Sequence, residues 1–433
     1  PQSGLIGQQQ FLNQMKSSAN YVTRVYSKWS EIDRTAWNAL LFAQLEPTPF
    51  MRWEYLSAMQ TSGSATLKTG WDVRIVTIWD GDTLVAGCPL YLKPHSYGEY
   101  VFDFAWAKAY AEHGLDYYPK AVIAVPFTPV PGTRLLARSD ALQATLVLAC
   151  KALVEATNVS SLHLLFTSKA DQAACTGTMM PPFMPRVTTQ FHWTNRAEKP
   201  YADFDDFLKA FAQDKRKKIK QERRKVLDAE LGAGVTFRHS QGKDITQSDW
   251  DFFYTCYERT YLEHGNAPYL SRAFFQSMAD DMPENWLLFI GEIEGQRIAS
   301  SLIAIQNIET TTNAVASKVA YGRYWGAVAR VDCLHFEACY YQPLEWCIAN
   351  GYHRFEGGAQ GEHKMARALL PVTATSLHHI AHPQFAKAIE RFLERERAGV
   401  ADYQIDLALR SPLKSPQPVA PKLLDSQASK YLA

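Results

Sequence analysis

The chain predicts an α/β protein in which one pattern is used twice, and three observations carry that prediction. Residues 49–59 (Pro49 to Met59) and 268–278 (Pro268 to Met278) share a proline start, a similar aromatic and aliphatic spacing and a closing methionine. Each is followed by a strand, a glycine turn and a second strand: Val73 to Trp79, Asp80-Gly81-Asp82 and Leu84 to Leu92, then Trp286 to Ile293, Glu294-Gly295-Gln296 and Arg297 to Ile305. Each half then offers a longer helix and a further strand, Ala141 to Thr157 with Ser161 to Phe166, and Asp332 to Asn350 with His353 to Glu356.

The physical reasons run in the same order. Upstream of each proline segment a helix keeps a tryptophan in step, Trp37 and Trp250. An acidic residue beside glycine between two apolar runs is a strong short-range hairpin signal, because glycine reaches the positive φ that tight turns need. The self-similarity has a period of roughly 215 residues, too long for a solenoid and suited to a duplicated domain. The expected divisions are 20–198 for the first domain, 199–235 for a basic helical connector, 236–407 for the second domain and 408–433 for a Pro/Ser-rich tail.

Bulk composition agrees. At 433 residues, with 47% hydrophobic and 21% charged, the chain is long for one core and carries enough apolar material for two. A net charge of +1 gives no global reason to expect a polyanion partner. No apolar run reaches membrane-spanning length, and the polar start Pro1 to Gln10 lacks the layout of a signal peptide, so a cytoplasmic protein is expected. The seven cysteines form no CxxC pair, so neither structural zinc nor a disulfide framework is indicated.

Chemistry concentrates in two loops. The segment Phe355-Glu356-Gly357-Gly358-Ala359-Gln360-Gly361-Glu362-His363-Lys364 places three glycines among two carboxylates, an amide, an imidazole and an ammonium. Its counterpart, Lys93 to Tyr100, again sets glycine beside His95, Glu99 and lysine and adds Tyr97. Neither follows the period of a merely packed helix or strand. A third segment, Asp214 to Lys225, has eight basic residues against two acidic ones, led by Lys215, Arg216 and Lys217. It reads either as a solvated helix face or as a phosphate site. A fourth, Tyr321 to Ala329, reads as a glycine-bearing loop feeding a helix N-terminus, a geometry suited to a diphosphate. Arg323 and Gly326 partly match the Arg-x-x-Gly-x-Gly/Ala loop of GNAT acyltransferases, with Val328 in the last place.

Taken with Tyr91 to Asp103, Tyr117-Tyr118-Pro119-Lys120, Val125 to Gly132, Leu334-His335-Phe336-Glu337 and Gly357 to Lys364, the chain resembles the FemAB-like predicted N-acyltransferases of bacteria. That resemblance implies tandem GNAT-like (acyl-CoA N-acyltransferase) domains with a cleft between them, as in the Fem ligases that add amino acids to peptidoglycan precursors. It implies transfer of an acyl or aminoacyl group from acyl-CoA or aminoacyl-tRNA to a small-molecule or precursor amine, without a metal. The basic run corresponds in place to the basic helix of the Fem ligases, which makes tRNA a candidate partner.

Such transfer needs a base for the ammonium proton, donors for the oxyanion and a slot for both substrates. The candidates are Glu356, Glu362 and His363 as bases or orienters and Gln360 and Lys364 as donors, with His95, Glu99 and Asp103 completing the site from the first half. Tyr97, Lys120, Arg323, Gly326, His335, Glu337, Lys215, Arg216 and Lys217 are the candidate binding residues. Two rival readings remain. One is a metal-dependent hydrolase using His335, Glu337, Glu362, His363, His378 and His379, although no HExxH spacing occurs. The other is a non-catalytic nucleic-acid-binding adaptor built on the basic helix.

Overall fold

The computed structural model describes residues 21–177, 182–308, 317–359 and 361–414. The first half runs β1 (Tyr21–Tyr26), α1 (Arg34–Phe42), α2 (Trp53–Thr61), β2 (Asp72–Asp80), β3 (Thr83–Lys93), α3 (Phe104–Glu112), β4 (Lys120–Ile123), β5 (Leu136–Ala137), α4 (Asp140–Thr157), β6 (Ser161–Leu164), α5 (Lys169–Cys175) and β7 (Met184–Thr194). After α6 (Phe204–Lys209) and the basic α7 (Gln213–Leu227) come β8 (Thr236–Gln241), α8 (Gln247–Glu263), α9 (Arg272–Asp281), β9 (Trp286–Ile293), β10 (Gln296–Ile308) and β11 (Ser317–Ala327). The chain continues through α10 (Leu334–Phe336), a π-turn (Glu337–Tyr341), α11 (Gln342–Ala349), β12 (Arg354–Ala359), β13 (Leu370–Ile380) and α12 (Pro383–Leu409).

The duplication is visible residue by residue. Trp37 and Trp250 are each the fourth residue of their helix, and both are buried. Asp33 and Thr246 cap those helices by accepting from the backbone N–H three residues on, which satisfies a donor that the first turn leaves free. In both hairpins the third residue of the second strand, Val85 and Ile298, is skipped by the pairing and forms a bulge. At the centre α2 meets α9, where Tyr55 and Phe274 pack edge to face at 5.3 Å. Phe50 and Tyr321 meet across the halves in the same way, at 5.2 Å, so one apolar core spans both.

The α/β class and the paired halves are as expected, but the sheets are not separate. The strand order is β1-β2-β3-β4-β6-β13-β7-β12-β11-β10-β9-β8. The last strand of each half therefore sits in the sheet of the other: β13 pairs with β6, β7 pairs with β12, and the two pair with each other through nine register positions from Leu370↔His192 to His378↔Met184. Backbone hydrogen bonding drives this merger, because each exchanged strand satisfies donors and acceptors on two neighbours at once.

One expected loop is a strand. Arg323 and Gly326 lie inside β11, and the helix begins only at Leu334. Gly326 is needed because α8 crosses β11 at that point: a Cβ on it would stand 2.0 Å from the Cys256 carbonyl oxygen and 2.8 Å from Thr260 Oγ1. The diphosphate-loop reading of residues 321–329 is therefore corrected to close packing of a helix on a strand. Gly326→Ala is expected to lower stability by about 1–3 kcal/mol or more through overpacking, measured by urea denaturation. A variant as stable as the parent would show that this contact does not set the helix position.

Candidate functional site

Strands β11 and β12 run parallel, but they pair only at Val319↔Arg354, Ala320↔Phe355 and Tyr321↔Glu356. Beyond that point β11 stays with β10 while β12 stays with β7, its pairing irregular between Glu356 and Ala359, so a wedge opens between β11 and β12. A cavity of about 760 Å³ fills the wedge, with Gly322, Phe355 and Gly357 at its root. Glycine at 357 is required there, since a Cβ would stand 2.4 Å from Leu369 Cδ2. One wall is aromatic: Tyr257 and Tyr261, one helical turn apart on α8, with Tyr324 from β11 and Tyr100 from the first half. The other wall is His335, Cys339 and Tyr340, presented by α10 and the π-turn. A π-turn shifts side-chain phase along a helix, which is why Cys339 and Tyr340, adjacent in sequence, both reach the cavity.

From the glycine loop, the structure brings His363 to this wall. Its Nε2 lies 3.0 Å from the Tyr340 hydroxyl and its ring centroid 6.1 Å from that of His335. Burial, with the nearby Lys364 and Arg367 cations, pulls the His363 imidazole below its ordinary value. His335 is pulled down to about 4 by burial, with His363 and Arg367 adding to the effect. Both rings are therefore neutral near pH 7. Lys364 is buried, donates to the Gly358 carbonyl at 3.2 Å and is lowered by burial to about 8. Arg367 fixes this turn: it donates to the His363 carbonyl and to Glu222 of α7, both at 2.7 Å, and lies 3.6 Å over the Phe336 ring.

Other expected residues stand elsewhere. Glu362 is exposed, accepting from Tyr403 at 2.8 Å and Arg410 at 3.1 Å, and points toward α12 rather than into the cavity. Glu356 projects from the opposite face of β12 to Phe355 and Gly357, as strand alternation requires. There it pairs with Arg354 at 3.0 Å and faces His192 at 3.7 Å, and burial pushes its carboxyl up to about 7. Glu337 is fully buried and bonds Arg223 of α7 through both oxygens, so it anchors the basic helix instead of a ligand. Gln360 lies outside the described residues.

The first-half loop forms a closed cluster. Lys120 Nζ donates to Glu99 at 2.8 Å, to Asp103 and to Ser96, and Lys93 Nζ sits 3.4 Å from the Trp71 ring centroid and 3.8 Å from Glu99. All four charged groups are buried. Burial pushes Glu99 up to about 7 despite Lys120. At Asp103 burial is outweighed by the Lys120 ammonium, which with His163 holds the carboxyl well below the usual range. Two cations and two carboxylates so arranged pin the 93–103 loop to β3 and β4. His95 packs on Gly70, where a Cβ would stand 2.2 Å from Nε2, and Tyr97 is exposed beside it. Tyr100 is the residue of this loop that reaches the cavity.

On α7, Lys215 and Lys217 are exposed and Arg216 is half-buried, while Ile219, Glu222 and Val226 face the body. Among the described residues, no three His, Cys, Asp or Glu side chains cluster as a cation site; His378 instead meets His163, Nδ1 to Nδ1 at 2.7 Å. No helix among them is long and apolar enough to cross a membrane. The aromatic wall was missed in the sequence, although the four-residue spacing of Tyr257 and Tyr261 is a legible helix-face signal.

The FemAB-like family profile, described as peptidoglycan biosynthesis/recognition, matches residues 28–415. Among curated proteins none matches in sequence. Similar solved structures include FemX, with a TM-score of 0.48 at 10% identity, covering 83% of this chain and 98% of that one. L-PGS from Bacillus licheniformis has a TM-score of 0.45 at 10% identity, covering 83% and 97%. A tandem GNAT protein from the clavulanic acid biosynthesis pathway has a TM-score of 0.41 at 11% identity, covering 84% and 99%. With the profile matched from residue 28 to residue 415, the chain belongs to the FemAB-like family of peptidoglycan biosynthesis and recognition proteins.

Proposed function

We propose that the protein transfers an acyl or aminoacyl group to an amine of a cell-envelope precursor, and that the wedge between β11 and β12 is where the transfer occurs. The observation that carries this reading is the cavity at the wedge together with Tyr340 on its wall, backed by His363. The wedge leaves β11 backbone groups without a strand partner, which suits an extended acyl or peptide chain, and membership of the FemAB-like family supports the envelope context. In the reaction the amine nitrogen attacks the donor carbonyl. A C–N bond forms as the C–S or C–O bond to the donor breaks. The ammonium proton passes to Tyr340 Oη as Tyr340 gives its own proton to His363 Nε2; the relay then runs back, Tyr340 giving a proton to the leaving thiolate or alkoxide as His363 returns one to Tyr340. A neutral imidazole is the form this relay needs, and burial favours it.

The donor is a thioester or a tRNA ester. The exposed Lys215 and Lys217 favour the tRNA reading, because α7 packs through Arg223 and Glu222 against the π-turn and the loop that build the cavity wall. A metal-assisted hydrolase has no comparable support, since Glu362 is held by Tyr403 and Arg410, and Glu337 by Arg223.

His363→Gln and Tyr340→Phe are expected to lower turnover by roughly 10² to 10⁴ at an unchanged melting temperature, while Glu362→Ala leaves activity per folded molecule unchanged. The parent enzyme should lose kcat/KM as pH falls below the ordinary imidazole value of about 6.5, where His363 takes a proton, and His363→Gln should lose that acid limb. A fully active, stable His363→Gln protein would remove the relay.

Lys215→Ala and Lys217→Ala separate the donors. With a tRNA ester each is expected to raise KM and reduce the salt slope of binding by about one; with a thioester neither parameter moves.

A further inference from the structure

One feature of the cavity is not used by the relay. Arg323 is the extra residue of a bulge in β11: Leu302 pairs with Tyr324 and Ile303 with Gly322, leaving Arg323 between them without a partner on β10. A bulge re-aims its side chain, and here Arg323 becomes part of the cavity lining. Its guanidinium lies 5.2 Å from the Phe50 ring centroid and 5.1 Å from that of Tyr324, donates to the Phe127 carbonyl at 3.0 Å and to the Tyr324 hydroxyl at 3.4 Å, and leaves Nε buried with no hydrogen-bond partner. Among the described residues it makes no ion pair, and no Asp or Glu lines the cavity.

A half-buried guanidinium whose Nε is sealed from water and which has no counter-charge is costly to hold. The phenols within its field do not supply one, since burial keeps Tyr55, Tyr100 and Tyr261 protonated. Glu356, the acid that feels Arg323 from the other face of β12, has its oxygens toward Arg354 and His192. By contrast Arg134, the buried arginine of the first half, donates to the carbonyls of Val130, Gly132 and Leu165. Arg323 has been left a vacancy that Arg134 has not.

We propose that Arg323 holds a carboxylate of the acceptor, so that the acceptor is an amino acid or peptide with a free carboxylate. The inference rests on the transferase reading for the word acceptor, because the acyl carboxyl of either donor is already esterified. A monoanion suits the site better than a diphosphate: Arg323 is the one permanent cation among the described lining residues, and its planar fork matches the two oxygens of a carboxylate. Tyrosine hydroxyls around it can donate to the same oxygens.

The test is a thermal-shift and calorimetric titration of the full chain with L-amino acids and short dipeptides, each paired with its carboxamide, and with inorganic pyrophosphate. At least one free acid is expected to raise the melting temperature while its carboxamide does not, and Arg323→Gln should weaken that acid roughly 10- to 100-fold, the loss of a charged hydrogen-bonded pair. Because the charge is uncompensated, Arg323→Gln without ligand should melt no lower than the parent; Arg323→Lys, which keeps the charge but loses the fork, should bind with intermediate affinity. Equal shifts by acids and amides, no shift by any acid, a preference for pyrophosphate, or unchanged binding by Arg323→Gln would each overturn the proposal. Arg323-dependent carboxylate binding without transfer from any donor would leave this site standing and remove the transferase reading; transfer to carboxamide acceptors at the rate of the acids would do the reverse.

Discussion

The exchange of β7 and β13 is the constraint on which the rest of the molecule depends. Each strand completes the sheet of the opposite half, and the pair they form is the seam of a single sheet. Removing either strand would expose the ladder of both neighbours, so neither half is a closed unit without the other. The same exchange keeps β12 on β7 where it leaves β11 beyond Glu356, with the wedge on its other side. The exchanged strand thus forms one side of the frame that holds the cavity.

The two halves use equivalent wedges differently. In the first half β4 and β6 also run parallel and then part, but Leu165 N–H still bonds the Ile123 carbonyl, and Arg134 fills the gap by donating to three backbone carbonyls. In the second half the gap is lined by tyrosines, imidazoles and a guanidinium with capacity to spare. Duplication supplied two frames, and side-chain volume and polarity closed one of them. The first half still contributes through Tyr100 and the Phe127 carbonyl, which place the cavity at the junction between halves.

Much of the charge that marks this sequence is scaffolding. The Lys93–Glu99–Lys120–Asp103 group is buried and ion-paired, half-buried Arg223 pairs with buried Glu337, and each set ties a loop or helix to the body. Low dielectric makes such groups costly alone and directional when paired, so they fix positions rather than seek ligands. Arg367 joins scaffold to chemistry, holding the His363 backbone while pairing with Glu222 of the basic helix. Through that link the anchoring of α7 bears on the geometry of the relay.

Local patterns determined most of what could be read from the residues alone. Hairpins, capped helices and the in-step tryptophans Trp37 and Trp250 depend on periodicity and turn chemistry within short windows, so the duplicated α/β halves and the glycine loop bearing His363 were legible. Glu362, its neighbour in that loop, looked equivalent in sequence. Only tertiary structure turned Glu362 to Tyr403 and Arg410 and His363 to Tyr340. Arg323 was singled out for a loop that proved to be a strand, and its place in the cavity comes from a register slip against β10, a pairing fact no window of residues contains. The strand exchange, the aromatic wall and the burial of Glu337 share that cause: each depends on which distant segment packs alongside, and non-local contacts leave no period in the chain.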